Sequence, residues 1–258
     1  MYEHCNVERD GRVLTVTIQR PEVMNALDPE TNFELAKVFD EFDADPELWL
    51  AIVTGAGEKA FCAGLDIKSQ KPGDTLSKDP TSGFGGLTER FDSSKPIIAA
   101  VNGAAIGGGF EIALACDLIV CAEHATFALP EAHIGLAPMA GGMHRLTRQI
   151  GLKRAMGMLF TGRRIDANEA YALGLVNEVV PAGDLMECAQ RWAANILKCA
   201  PLSTRAIKQC VLEGMRHGNL EGAMRAHYPA IDDMLTSDDL AEGMRAFVEK
   251  RRPVWKGR

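Results

Sequence analysis

The feature that most narrows what this chain can fold into lies between Lys95 and Gly142: KPIIAAVNGAAIGGGFEIALACDLIVCAEHATFALPEAHIGLAPMAGG. Residues 97–101 are a short, wholly apolar run, the pattern of a buried strand. Gly107, Gly108 and Gly109 follow, and the segment 110–116 behind them is apolar apart from Glu111. Two more strand-like runs, 118–122 and 126–129, end at Pro130, with Glu131 next. One acid therefore falls in the first turn of a buried helix and another just past a strand end. Each follows backbone shaped by glycine or by proline. That is an arrangement for chemistry, and the chain reads as an enzyme with an α/β core.

The rest of the composition bounds the reading. A chain of 258 residues, 47% hydrophobic and 24% charged, has room for one large core or for a core with an appendage. A net charge of −7 gives no support to nucleic-acid binding. No apolar run reaches ~18 residues without a charge, so no membrane span is expected. The N-terminus, MYEHCNVERDG, has no apolar core of a secretion signal. Seven cysteines are an odd number, no CxxC occurs, and Cys116 and Cys121 match no structural zinc spacing. Reduced thiols in a cytoplasmic protein are the expectation.

In chain order, 13–18 alternates as a half-buried strand, and Arg20-Pro21 ends it. Asp28 caps a helix that Pro29 opens and that runs to about 43. A strand at 48–54 leads through a loop to Ala60-Phe61-Cys62-Ala63-Gly64-Leu65-Asp66-Ile67. The glycine- and proline-rich segment 68–86 is expected to be a flexible border of the active site, and 87–91 a short helix. Helices are expected at 143–151 and 152–160, then one capped by Asp166 and ending at Gly174, then a strand at 176–180. Four helices follow, at about 184–199, 202–217, 219–234 and 238–250, with no further strand. The division is thus a core at 1–195 carrying the site and a helical region at 196–258. Residues 51–55 and 99–103 look like two turns of a repeat 48 residues apart.

Gly107 to Glu111 can bring backbone N–H groups and a helix N-terminus up to a developing oxyanion. The same residues also fit a tight strand-to-helix turn. No GxGxxG follows the strand and no GK[ST] is present, which argues against nucleotide-binding loops. Ala63-Gly64 is a second candidate amide donor, or a plain turn. Glu131, among apolar neighbours, suits a general acid held protonated, or is a loop glutamate. His133 and His144 have no second ligand at metal spacing and read as loop or surface histidines. No GxSxG exists for a hydrolase triad. Lys250, Arg251, Arg252, Lys256 and Arg258 form a basic tail that is either solvated or in contact with phosphates.

Taken together, Asn25-Ala26-Leu27, the 60–67 segment, Gly107-Gly108-Gly109-Phe110-Glu111, Pro130-Glu131 and Gly135…Pro138…Gly141-Gly142…Arg145-Leu146 resemble the crotonase superfamily, the enoyl-CoA hydratases and isomerases, over nearly the whole chain. Phe84-Gly85-Gly86-Leu87-Thr88, Phe110, His227-Tyr228-Pro229 and the ending from Glu249 to Arg258 resemble its carnitinyl-CoA dehydratase-like members. The resemblance implies a spiral of strand–strand–helix units with a helical C-terminal trimerisation region, in trimers or hexamers. It implies an oxyanion hole from the N–H groups of Ala63 and Gly108. It implies coenzyme A, as part of the substrate, against Ala26 and Ala63, Gly64, Leu65, Asp66 and Ile67. Met139 stands where polar or small residues are usual in the family, which would make an acyl pocket around it more apolar.

The activity implied is the reversible addition of water to a trans-2-enoyl-CoA. Glu111 would be the base on water and Glu131 the proton donor at Cα, with no metal and no permanently bound cofactor. Rivals are an isomerase of the same family, a hydrolase that releases the CoA thiol, and a non-catalytic CoA-thioester binder. Apolar residues on the C-terminal helices, among them Leu212, Met215, Met234, Leu235, Met244 and Phe247, exceed what one small bundle needs and predict an oligomer.

Overall fold

The computed structural model describes residues 2–69 and 79–258. Among the described residues, ten strands fall into two sheets. The larger, of six strands, runs β1 (Cys5–Asp10), β2 (Val13–Ile18), β3 (Leu50–Gly55), β5 (Ile97–Val101), β7 (Leu118–Ala122), β10 (Glu178–Val180), and is parallel from β2 onward. The smaller is β4 (Ala60–Cys62), β6 (Ala104–Ile106), β8 (Thr126–Ala128), β9 (Ile165–Asp166). β3 and β4, β5 and β6, and β7 and β8 each follow one another in the chain, one strand to each sheet. The chain therefore advances as a spiral, one strand of each sheet per turn.

Helices close the turns: α1 (Pro29–Ala44), α2 (Gly108–Ala115), α3 (Gly142–Ile150), α4 (Leu152–Thr161), α5 (Ala167–Ala172) and α6 (Leu185–Ile196). The strand alternation sorts the core into two layers. Ala51, Val53, Ala99, Val101, Ile119 and Cys121 face the main core with Phe39, Phe42, Phe110 and Phe127. The residues between them, Leu50, Ile52, Ile98, Ala100, Val120 and Ala122, pack under Leu185, Cys188, Ala189 and Ala193 of α6. A sheet covered on both faces needs mostly apolar side chains, which is why β5 and β7 are unbroken apolar runs and β3 is apolar as far as Val53.

Beyond α6 come α7 (Pro201–Gly214), α8 (Leu220–Arg225), α9 (Pro229–Leu235) and α10 (Asp238–Val248). The single helix expected at 219–234 is two. Pro229 has no N–H and holds Tyr228 extended (φ −120°, ψ 105°), which separates α8 from α9. In the basic tail the Arg251 side chain pairs with Glu242 at 2.6 Å, and Asp239 accepts the backbone N–H groups of Lys256 and Gly257 at 2.7 and 2.8 Å.

Two other expectations change. Residues 87–91 are turns, with no helix. Of the expected flexible border, 70–78 lie outside the described residues, but Phe84–Gly86 is a buried 3-10 turn wedged between α1 and α2. There Asn32 of α1 accepts the Gly85 N–H at 2.7 Å, and the Phe84 ring lies against Gly108.

Candidate active site

β4 and β6 are parallel neighbours, so the loops that leave them run side by side. The approach is close. A Cβ at Gly64 would sit 2.8 Å from the Ile106 carbonyl oxygen and 3.0 Å from the Gly108 nitrogen, and one at Gly109 would collide with the Cys62 carbonyl. Only glycine lets the 63–66 loop reach the N-terminus of α2. The Gly108 N–H opens that helix and has no acceptor among the described residues.

The second donor is not the expected one. The Ala63 N–H donates to the Met24 carbonyl at 3.0 Å. The 24–27 loop lies parallel to the 63–66 loop, with Leu27 bridged to Leu65. Leu27 N–H donates to Gly64 O at 2.8 Å and Asp66 N–H to Leu27 O at 2.9 Å. In parallel pairing the residue between two such bonds turns its own groups the other way. The N–H of Leu65 is accordingly the one in this loop with no acceptor among the described residues. Leu65 and Gly108, not Ala63 and Gly108, are the amides left available.

Both acids sit here. Glu111, in the first turn of α2, is 3% exposed, and its Oε1 accepts the Gly142 N–H at 2.8 Å. Burial pushes its carboxyl up to about 7, and the charge of Glu131 adds to this. The amides of Gly142 and Ala140 and the charge of Arg145 act in the opposite direction. Glu131 follows Pro130 in a 3-10 turn, and its Oε1 lies 3.0 Å from where a Cβ on Gly107 would be. Its Oε2 is buried with no hydrogen-bond partner among the described residues, and burial raises its pKa as well. The fold thus sets two carboxyls and two unused amides around the N-terminus of α2.

Ala26, Asp66 and Ile67 fall on the loop pair beside this site. Ala26 and Asp66 are buried, while Ile67 is 59% exposed. Sequence reasoning missed what holds the loops. Arg20 bridges Asp28 at 2.8 Å and Asp66 at 3.2 Å, and also donates to the Ala26 carbonyl. Asn25 adopts φ 55°, a conformation asparagine tolerates better than most residues. Its buried amide accepts from Arg20 N and donates to the carbonyls of Ala56 and Ala60. An Asn among turn residues was a readable signal for the backbone conformation. Its partners were not readable.

The histidines stay outside the site. His133 bonds the Thr161 carbonyl at 2.8 Å, and His144 is exposed. Met139 is 65% exposed.

Two sheets wound by repeated strand–strand–helix turns, with glycine-lined amides and two carboxyls at one helix N-terminus, define a crotonase-type protein. The chain belongs to the enoyl-CoA hydratase/isomerase family, whose sequence profile matches residues 8–258. It is 48% identical over 267 residues to the carnitinyl-CoA dehydratase of Citrobacter koseri, and 46% identical to that of Salmonella typhi. Each comparison covers 100% of both chains. Among solved structures it is similar to the enoyl-CoA hydratase of Bacillus anthracis (34% identity, TM-score 0.92, 99% of this chain and 100% of that one). It is also similar to that of Mycobacterium tuberculosis (37%, TM-score 0.92, 99% of each).

Proposed function

We propose that this chain is a hydro-lyase that interconverts a 3-hydroxyacyl-CoA and the trans-2-enoyl-CoA with water. The Leu65 and Gly108 amides hold the thioester oxygen. The observation that carries the reading is the pair of carboxyls in unequal surroundings beside those amides. The charge of Glu131 raises Glu111 beyond the effect of burial, and the reading takes the microstate in which Glu131 is ionised and the pair's one proton is on Glu111. That microstate suits dehydration. The Glu131 carboxylate removes the Cα proton, and the electron pair moves onto the thioester oxygen between the two amides. The enolate then collapses to the Cα–Cβ double bond as the Cβ–O bond breaks, and the Glu111 proton leaves with the hydroxyl as water. Glu111 ends ionised and Glu131 protonated, the starting point for hydration by the same path. The Glu111-base, Glu131-acid assignment from sequence is thus the hydration half of one cycle.

The finer reading takes carnitinyl-CoA as substrate, supported by the relatives that bear that name, with CoA along the Ala26 and 64–67 loops. The amides make the contribution that a Lewis acid would make, so the reading asks for no resident cofactor. The helical region from about 196 is assigned to assembly into trimers or pairs of trimers. Its support is the exposure of Val211 (55%), Met215 (60%), Met244 (65%) and Phe247 (85%). No described helix is long and apolar enough to cross a membrane, and a cytoplasmic enzyme is the reading adopted.

The test is an assay in both directions over short, branched, aromatic and carnitinyl CoA thioesters, with Glu111→Gln and Glu131→Gln beside the parent. Each variant is expected to lose at least ~10²-fold in kcat. Near-normal turnover in both would overturn the assignment, and release of free CoA thiol would point to the hydrolase.

A further inference from the structure

Arg145 belongs to a motif that the reaction above does not use. It lies in the first turn of α3, and its backbone N–H donates to the Gly141 carbonyl at 2.8 Å. Its side chain turns back toward the loop before the helix. One guanidinium nitrogen donates to the Thr88 carbonyl at 2.8 Å, and the group stands over the Phe91 ring, 5.7 Å from its centroid. Another nitrogen packs so tightly on Gly141 that a Cβ there would strike it. The 88–91 turns and the start of α3 are therefore tied through one side chain. The next residue after Gly141 is Gly142, whose N–H grips Glu111.

We propose that Arg145 is a positioning residue for the hydro-lyase reaction: it clamps the 140–142 backbone against the 88–91 turns and so fixes the amide that orients the Glu111 carboxyl. This rests on the reading that Glu111 transfers a proton. The guanidinium also acts as a charge. Burial is the largest influence on it and disfavours the ionised form, Cys116, Glu111 and Glu89 favour that form, Arg148 opposes it, and Glu111 in turn feels Glu131 and Arg145. Arg145 pulls the Glu111 pKa down, so its removal lets that pKa rise.

The test compares Arg145→Met, Arg145→Lys and Glu111→Gln by kcat and KM on a short-chain enoyl-CoA, and by the pH profile of kcat/KM. Arg145→Met is expected to lose about tenfold or more in kcat, with KM changed far less. Its alkaline limb is expected to move to higher pH. Arg145→Lys keeps the charge without the fork, so it should restore the position of the limb but only part of kcat. If Arg145→Met does not fold, Phe91→Leu takes its place, since it removes the ring under the guanidinium and keeps the charge. It should lower kcat and leave the limb in place. Wild-type kcat and an unmoved limb in Arg145→Met, with Glu111→Gln inactive, would overturn the proposal and leave the role of Glu111 intact. An active Glu111→Gln would instead remove the reading on which the proposal rests.

Discussion

Replacing Glu111 by Gln should make the protein more stable as it makes it inactive, and the gain should depend on pH. The Glu111 carboxyl moves from an ordinary value of 4.5 to about 7 on folding, chiefly because it is buried at 3% exposure. The unfolded chain therefore releases this proton near 4.5 and the folded chain near 7. Between those values the folded state holds a proton that the unfolded state has lost, so stability falls as pH rises through the interval. Below it there is no loss, and above it the loss is complete. About 2.5 pH units at ~1.4 kcal/mol each amounts to about 3 kcal/mol. Gln stays neutral throughout, and its carbonyl can still accept the Gly142 N–H. The stability of Glu111→Gln relative to the parent should therefore grow by about 3 kcal/mol between pH 4.5 and pH 8. Urea unfolding at fixed protomer concentration measures this, the concentration being held because association adds to apparent stability. A difference between the two proteins that stays flat across this range would refute the argument. It would mean that Glu111 is ionised without penalty, through water or movement of α3.

Both directions of the reaction need the carboxyl pair to hold one proton. The kcat/KM profile should therefore be bell-shaped in each direction, with its alkaline limb near 7, set by loss of the Glu111 proton; a profile flat from pH 5 to 9 would contradict this. Arg20→Met leaves the carboxylates of Asp28 and Asp66 without their shared cation. The expected cost is about 3 kcal/mol in denaturant unfolding, with KM for the CoA thioester raised more than kcat is lowered. Gly109→Ala drives a Cβ into the Cys62 carbonyl, which belongs to rigid backbone. Thermal unfolding should report a loss of ~2 kcal/mol or more, and an unchanged Tm would mean that α2 can move off β4.

Local chemistry was legible wherever it is local. Asp28 accepts the Thr31 N–H at 2.8 Å, as its place before Pro29 implied. The apolar runs at 97–101 and 118–122 are strands because both their faces are covered. The strands at Cys5–Asp10, Ala60–Cys62 and Ala104–Ile106 went unread. The first is largely exposed, and three residues are too few for any period to appear. The repeat was visible but two residues out of register, since Ala51 stands beside Ile97 and not beside Ala99.

The sequence by itself determined the type of most of the longer elements, the placement of two acids behind glycine and proline, and the family. Those follow from propensity, periodicity and motif, all of which act within a few residues. Only the tertiary structure decided which amides are free, because pairing of the 24–27 and 63–66 loops turns the Ala63 N–H to Met24 and leaves that of Leu65 without an acceptor among the described residues. It also decided that the Glu111 carboxyl is pushed up. That shift depends on burial and on neighbours brought from far along the chain, Gly142 and Arg145 among them, and no window of sequence contains them together.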